Sequence, residues 1–185
     1  MVRSLFAVVG LVAMWSGHCA AAPSEPAYRL NPGDVVMVSV WQEDSLKQEA
    51  TVLPDGSITF PLAGRIDVAG LDVASVEKQV ASKLEKFLPD PNVSVVVKSN
   101  AGNLVYVQGK VIKPGPVQMS GPTAVLQALS MSGGLDKFAD ESEIMVVRGT
   151  GTSQRILPVR YKDLVTGRDM STNIQLQAGD TLVVP

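Results

Sequence analysis

The chain has 185 residues, enough for one or two compact domains. Hydrophobic residues make up 45% and charged residues 18%, with 12 Pro and 16 Gly, a mixture that supports a turn-rich, β-rich globular fold and excludes a disordered chain. The net charge of -2 and pI of about 5.4 leave no basic face of the kind nucleic-acid binding requires.

Residues 1–21 read as a secretory signal. Arg3 supplies the positive start, Leu5 to Trp15 form an apolar stretch broken by Gly10, and small residues follow at Cys19-Ala20-Ala21-Ala22. The apolar stretch is short for a bilayer-spanning helix, which argues against a retained anchor. Cys19 raises the rival of a lipidated start, but the residue before it is the bulky His18, where lipoprotein signals carry a small one. Cleavage after Ala21 removes the single Cys and the single His, and with Arg3 gone leaves 15 basic against 18 acidic residues, a net of -3. A chain so processed has no disulfide, no thiol nucleophile and no imidazole. That excludes Ser-His-Asp and Cys-His catalysis and the usual zinc and copper sites. Carboxylates, Lys, Tyr and Ser remain for any reactive centre.

Residues 22–27 read as a linker, and a first unit spans 28–98. It opens on the turn dipeptide Pro32-Gly33 followed by Asp34. Val35 to Trp41 is β-branched and nearly all apolar, which predicts a strand buried on both faces or covered by another subunit. Asp55-Gly56 between Val52-Leu53 and Ser57 to Phe60 predicts a hairpin, and Arg65 to Val68 a further short strand. Val73, Val76, Val80, Leu84 and Phe87 recur every three or four residues, which predicts one helical stripe, capped by Asp72 and stopped by Pro89. Asn92 to Lys98 reads as a strand.

Ser99 to Gly102 is a boundary, and a second unit spans 103–185. Leu104 to Val107 is a strand, and Gly109 and Lys113-Pro114-Gly115-Pro116 mark turns around Val111. A helix is expected over Ala124 to Met131, capped by Thr123 and ended by Gly133-Gly134. Strands are expected over Ile144 to Arg148, Arg155 to Val159 and Thr181 to Val184, the last entered through Gly179-Asp180. The pattern predicts an α+β protein, its second unit a small sheet wrapped around one helix.

Most of the distinctive residues read as structural. Gly33-Asp34, Asp55-Gly56, Pro114-Gly115 and Gly179-Asp180 are turn chemistry, and the two Gly-Asp pairs are recurring turns, not a duplication. Gly133-Gly134 lacks the Lys-Ser or Lys-Thr of a phosphate-binding loop. Asp136, Asp140, Glu141 and Glu143 lack the regular ligand spacing of a calcium loop and read as a solvated segment. Asp44, Asp55, Asp67 and Asp72 fall mostly in turns and form no evident two-carboxylate frame for glycoside hydrolysis. No catalytic residue, metal site or cofactor is therefore assigned. Trp41, Tyr106 and Tyr161 are candidates for stacking on sugar rings or for packing between subunits.

Five segments together carry a resemblance. Tyr28 to Val36 (Tyr-Arg-Leu-Asn-Pro-Gly-Asp-Val-Val) resembles the opening of the polysaccharide export domain, and Leu53 to Gly64 its hairpin. Val107 to Val117 resembles the start of an SLBB domain, a β-grasp module, with Ala124 to Leu129 and Gly133-Gly134 suiting its helix and Gln177 to Pro185 its last strand. The chain thus resembles the outer-membrane polysaccharide export family. The resemblance implies export of capsular or exopolysaccharide through stacked homo-oligomeric rings, in the periplasm or associated with the outer membrane. It also implies an inner-membrane polysaccharide co-polymerase as partner. Because the sequence stops at the end of one SLBB domain, the reading expects a short periplasmic member served by a separate outer-membrane pore protein. A monomeric glycan-binding adaptor and a polysaccharide hydrolase or lyase are the alternatives.

Overall fold

A computed structural model describes residues 27–185; the expected signal and residues 22–26 of the expected linker lie outside the described residues. The architecture is α+β and contains two hydrophobic cores.

The first core is built on a three-stranded antiparallel sheet in the order β2-β1-β5, from β1 (Val35–Val40), β2 (Glu43–Thr51) and β5 (Val93–Ser99). Val36, Val38 and Val40 point into the core, whereas Val35, Met37 and Ser39 on the other face are half-buried. The apolar run therefore does not mean burial on both faces: β1 follows the two-residue alternation of a one-sided strand. Trp41 falls outside the strand and is 74% exposed.

β2 was not legible. Its sequence, Glu-Asp-Ser-Leu-Lys-Gln-Glu-Ala-Thr, has no strand composition, and it is a strand because β1 presents a free edge for it to pair with. The Asp55-Gly56 turn forms: Gly56 N donates to Leu53 O at 2.8 Å, Leu53 N donates to Ser57 O at 2.8 Å, and Gly56 takes φ 82°. The expected hairpin across it does not extend, since β3 (Ser57–Phe60) pairs instead with β4 (Gly64–Asp67).

Helix α1 (Val73–Leu84) starts where Asp72 accepts from Ser75 N at 3.1 Å and buries Val76, Val80 and Leu84. The helix ends before Phe87, which is 56% exposed and leaves the predicted stripe. Glu77 Oε1 accepts from Val95 N at 2.9 Å, so a helix side chain occupies a donor on the outer edge of β5.

The second core sits under a five-stranded mixed sheet of β6 (Leu104–Gly109), β7 (Gly115–Gln118), β8 (Met145–Arg148), β9 (Arg155–Pro158) and β10 (Thr181–Val184), in the order β7-β6-β10-β8-β9. The last strand lies in the middle, parallel to β6 and antiparallel to β8. Gly115-Pro116 is not a turn: both residues belong to β7, which tolerates proline because it is an edge. Val183-Val184-Pro185 closes against the first strand through Lys110 N donating to Val184 O at 2.7 Å.

Helix α2 (Val125–Met131) is capped differently from the expectation. Its N-cap is Ala124, whose N–H donates to Gln127 Oε1 at 2.7 Å, and Leu126 N donates to Asn173 Oδ1 at 3.1 Å. Thr123 instead turns its hydroxyl to Gly121 O. The Gly pair ends the helix through Gly133 N to Ser130 O at 3.0 Å and Gly134 N to Leu129 O at 2.8 Å, with both glycines at positive φ. A second short helix, α3 (Tyr161–Thr166), joins β9 to the last segment, so the sheet packs two helices and not one. Six residues carrying Lys-Asp and Val-Thr are too short to show a helical period.

Candidate functional site

The two Gly-Asp turns recognised separately in the sequence are the same physical device and stand at the same place. In Asn31-Pro32-Gly33-Asp34 the Asp34 N–H donates to Asn31 O at 3.0 Å, and its carboxylate reaches back to accept from Asn31 N at 2.8 Å. In Gln177-Ala178-Gly179-Asp180 the Asp180 N–H donates to Gln177 O at 3.0 Å, and its carboxylate accepts from Gln177 N at 2.8 Å. Gly33 and Gly179 take φ 97° and 87°, a region glycine reaches without Cβ strain. Each glycine N–H donates to a neighbouring strand segment at 2.8 Å, Gly33 to Val52 O and Gly179 to Leu104 O.

Both carboxylates are buried, Asp34 at 0% exposure and Asp180 at 1%. A buried carboxylate must be hydrogen-bonded. Asp34 accepts from the Tyr28 hydroxyl at 2.6 Å and, across 68 residues, from Gly102 N at 2.9 Å. Asp180 is held by Arg148, with Nε at 2.9 Å and Nη2 at 2.7 Å. Burial, reinforced by the bond to Asp34, raises the Tyr28 phenol well above its ordinary value of 10.0. Its proton therefore stays on at any physiological pH, and Tyr28 donates.

Gly102 carries the junction between the two cores. A Cβ there would lie 2.2 Å from Pro32 O and 2.9 Å from Asp34 Oδ1. The absence of a side chain is what lets the boundary turn before β6 touch the first unit's Asn31–Asp34 turn.

Around this contact runs a groove of ≈ 920 Å³, bounded by residues from both units. It meets a depression of ≈ 310 Å³ over the two Gly-Asp turns, where both are lined by Asn31 and Ala178. At its other end it meets a depression of ≈ 490 Å³ along α2, where both are lined by Ser120 and Gly121. Shared lining residues place the three hollows side by side, from α2 across the junction to Tyr106, as a track of neighbouring depressions. Asn100 and Asn103 are committed to the framework, each donating to Met119 O, at 2.9 and 2.7 Å. Gln175 and Gln177 also line the groove, and their side-chain amides make no hydrogen bond among the described residues. A free amide offers one planar face with both donors and an acceptor.

The three aromatic candidates do not share a site. Tyr106 is 49% exposed, is the third residue of β6 and lines the smaller hollow at the turns. Trp41 follows the far end of β1, about 20 Å from Asp34 at strand rise. Tyr161 begins α3 and packs against the second core. Pro114, Gly133 and Gly134 lie beyond the far end of β6, where Ile112 N donates to Gly134 O and Lys113 N to Ser132 O. Asp55 is exposed, and its carboxylate is held below the usual range by the Ser57 hydroxyl and N–H, with Arg65 at 3.1 Å.

Sequence reasoning passed over Arg29, Lys98, Gln175 and Gln177, which line the groove, and Arg148, which holds Asp180. The Gln177 signal was present, since it occupies the position of Asn31 in the repeated turn. Nothing local marks the others. No group of three His, Cys, Asp or Glu side chains placed to hold a metal occurs among the described residues, and no helix among them is long and apolar enough to cross a membrane.

Comparison with known proteins finds two family matches. Residues 22–98 match the family described as polysaccharide biosynthesis/export protein, and residues 103–184 match the SLBB domain. The chain is 28% identical over 182 residues to the EPS I polysaccharide export outer membrane protein EpsA of Ralstonia nicotianae, covering 85% of this chain and 47% of that one. It is 29% identical over 161 residues to the polysialic acid transport protein KpsD of Escherichia coli, covering 86% and 28%. It is 25% identical over 175 residues to the capsule polysaccharide export outer membrane protein CtrA of Neisseria meningitidis, covering 84% and 43%. The chain thus spans less than half the length of these curated relatives. With both domains present in order and nearly all of the described fold accounted for, the chain belongs to the polysaccharide export family, as a polysaccharide export domain followed by an SLBB domain.

Proposed function

We propose that this protein is a non-catalytic component of a machine that exports capsular or exopolysaccharide across the periplasm and outer membrane, and that the junction track guides the polymer. The observation that carries the reading is the chain of three joined hollows, lined almost wholly by neutral side chains and backbone. A linear polymer that must move needs many contacts of similar, small strength. A net hydrogen bond in water is worth about 1 kcal/mol, so neutral amide and hydroxyl contacts hold a sugar chain without stalling it. Gln175 and Gln177 supply such contacts, and Tyr106 offers an aromatic face at the end of the track.

In this reading several copies assemble as a ring, an inner-membrane co-polymerase feeds it, and a separate outer-membrane pore protein completes the route. The relatives named for polysaccharide export and transport support the process. Proline in both edge strands of the five-stranded sheet, Pro116 in β7 and Pro158 in β9, disfavours assembly by open-ended strand pairing there. Copies then pack side by side instead.

Deleting the gene tests the function. Secreted polymer should disappear while glycosyl transfer inside the cell continues and polymer accumulates behind the block. Normal secretion by the deletion strain would end the reading, and new reducing ends or unsaturated sugars released by the purified protein would replace it with an enzyme.

A further inference from the structure

We infer that the junction track is selective for an acidic glycan, one carrying carboxylate groups along the chain. This rests on the export reading and specifies the class of polymer that the same site handles. The chain is acidic overall, with 18 Asp and Glu against 16 Lys and Arg. Yet no carboxylate side chain lines any of the three joined hollows. The charges that do line them are Arg29 and Lys98, both positive and both in the central groove. The two carboxylates closest in sequence to the track, Asp34 and Asp180, are buried beneath it and saturated with hydrogen bonds, Asp180 by a guanidinium. The side chains that line the hollows therefore carry no negative charge, and the carboxylate beside them, that of Asp72, whose backbone bridges to Arg29, is held ionised chiefly by Ser75, with a smaller contribution from Arg29.

The two cations differ in what holds them. Arg29 donates through Nη1 to Gly70 O at 2.7 Å, which fixes the guanidinium at the rim and leaves other N–H groups to face the groove. Lys98, on β5, makes no salt bridge or hydrogen bond among the described residues. An ammonium without a partner among the described residues, on a groove whose lining holds no acid, is placed to receive an anionic group from outside the protein. Two cations are too few for a nucleic acid, whose binding scales with the number of phosphates neutralised. They suit a sparse polyanion. Each exposed ion pair is worth about 0–1 kcal/mol and is screened by salt, so a uronate-type chain is favoured over a neutral one without being trapped.

The test compares oligogalacturonate with a neutral cello-oligosaccharide of the same length, each titrated against the full chain as its host processes it, by calorimetry at low and high salt. The acidic oligomer should bind at least about fivefold more tightly at low salt, and that margin should shrink at high salt. Lys98→Gln and Arg29→Gln should each weaken the acidic oligomer by up to about fivefold and leave the neutral one unchanged. Lys98→Gln carries the decisive weight, because Lys98 is exposed and makes no hydrogen bond or salt bridge among the described residues. Equal binding of the two oligomers, acidic binding that ignores both substitutions, or binding of neither would overturn the inference. Failure here is separable from failure of the export reading. A deletion strain that stops secreting keeps the export role even if the acidic preference falls, whereas one that secretes normally removes the export role whatever the titrations show.

Discussion

Gly102→Ala probes the contact that joins the two domains. Its φ is not in the left-handed region, so an alanine meets no backbone strain, and the whole effect is steric. The new methyl would sit 2.2 Å from Pro32 O and 3.0 Å from Pro32 C. Those are backbone atoms of a turn whose proline fixes φ, so no side chain can swing aside. Either the linker or the Asn31–Asp34 turn must move by about 1 Å, and overpacking of this kind costs about 1–3 kcal/mol. The shift also stretches the 2.9 Å bond from Gly102 N to Asp34 Oδ1. A hydrogen bond to a charged group contributes about 1.5–3 kcal/mol, and Asp34 is fully buried and cannot turn to water. The sum is roughly 2.5–6 kcal/mol, and at about 2–4 °C per kcal/mol for a chain of this size Tm should fall by roughly 5–24 °C. Differential scanning calorimetry reads this directly and should show the two domains melting less cooperatively. Gly121→Ala is the control, since a Cβ at Gly121 meets nothing within 4 Å. A Gly102→Ala protein that melts within about 1–2 °C of that control would refute the claim that the close approach fixes the junction.

Three further outcomes follow from the same geometry. Arg148→Met leaves the Asp180 carboxylate buried without its partner and should lower stability by about 3–5 kcal/mol, seen as a fall in the urea midpoint. Ser132→Ala should raise stability by up to about 1 kcal/mol, because the Ser132 hydroxyl is buried and has no hydrogen-bond partner among the described residues. The folded Tyr28 phenol titrates above its unfolded value of 10.0, so the stability it contributes is complete below pH 10.0 and is lost as pH rises from there toward the raised folded value. Tyr28→Phe should flatten that alkaline decline in denaturation curves; an unchanged decline would show that the Tyr28–Asp34 pair does not drive it.

Much of the fold was legible because its signals are local. Helix α1 announces itself by Val76, Val80 and Leu84, its start by Asp72 three residues before the N–H that donates to it, and α2 ends on a Gly pair that only a helix stop explains. Each of these depends on atoms a few residues apart. Phe87 misled because periodicity does not report where a helix stops, and Thr123 because a hydroxyl can find a nearer carbonyl than the helix start. β2 was invisible because a strand of charged residues is made by the edge that pairs with it.

The sequence by itself determined the α+β class, the two-domain family and the two Gly-Asp turns, since turn geometry and side-chain period are written in neighbouring residues. Only the tertiary structure decided that those two turns line one hollow, that Gly102 closes onto Asp34 across 68 residues, and that Arg148 reaches Asp180 across 32. It alone assembled a groove from Arg29, Lys98 and Gln177, and alone showed that groove to be free of acids. The physical reason is that contact between distant segments depends on how two whole cores pack, and no spacing within either segment encodes it.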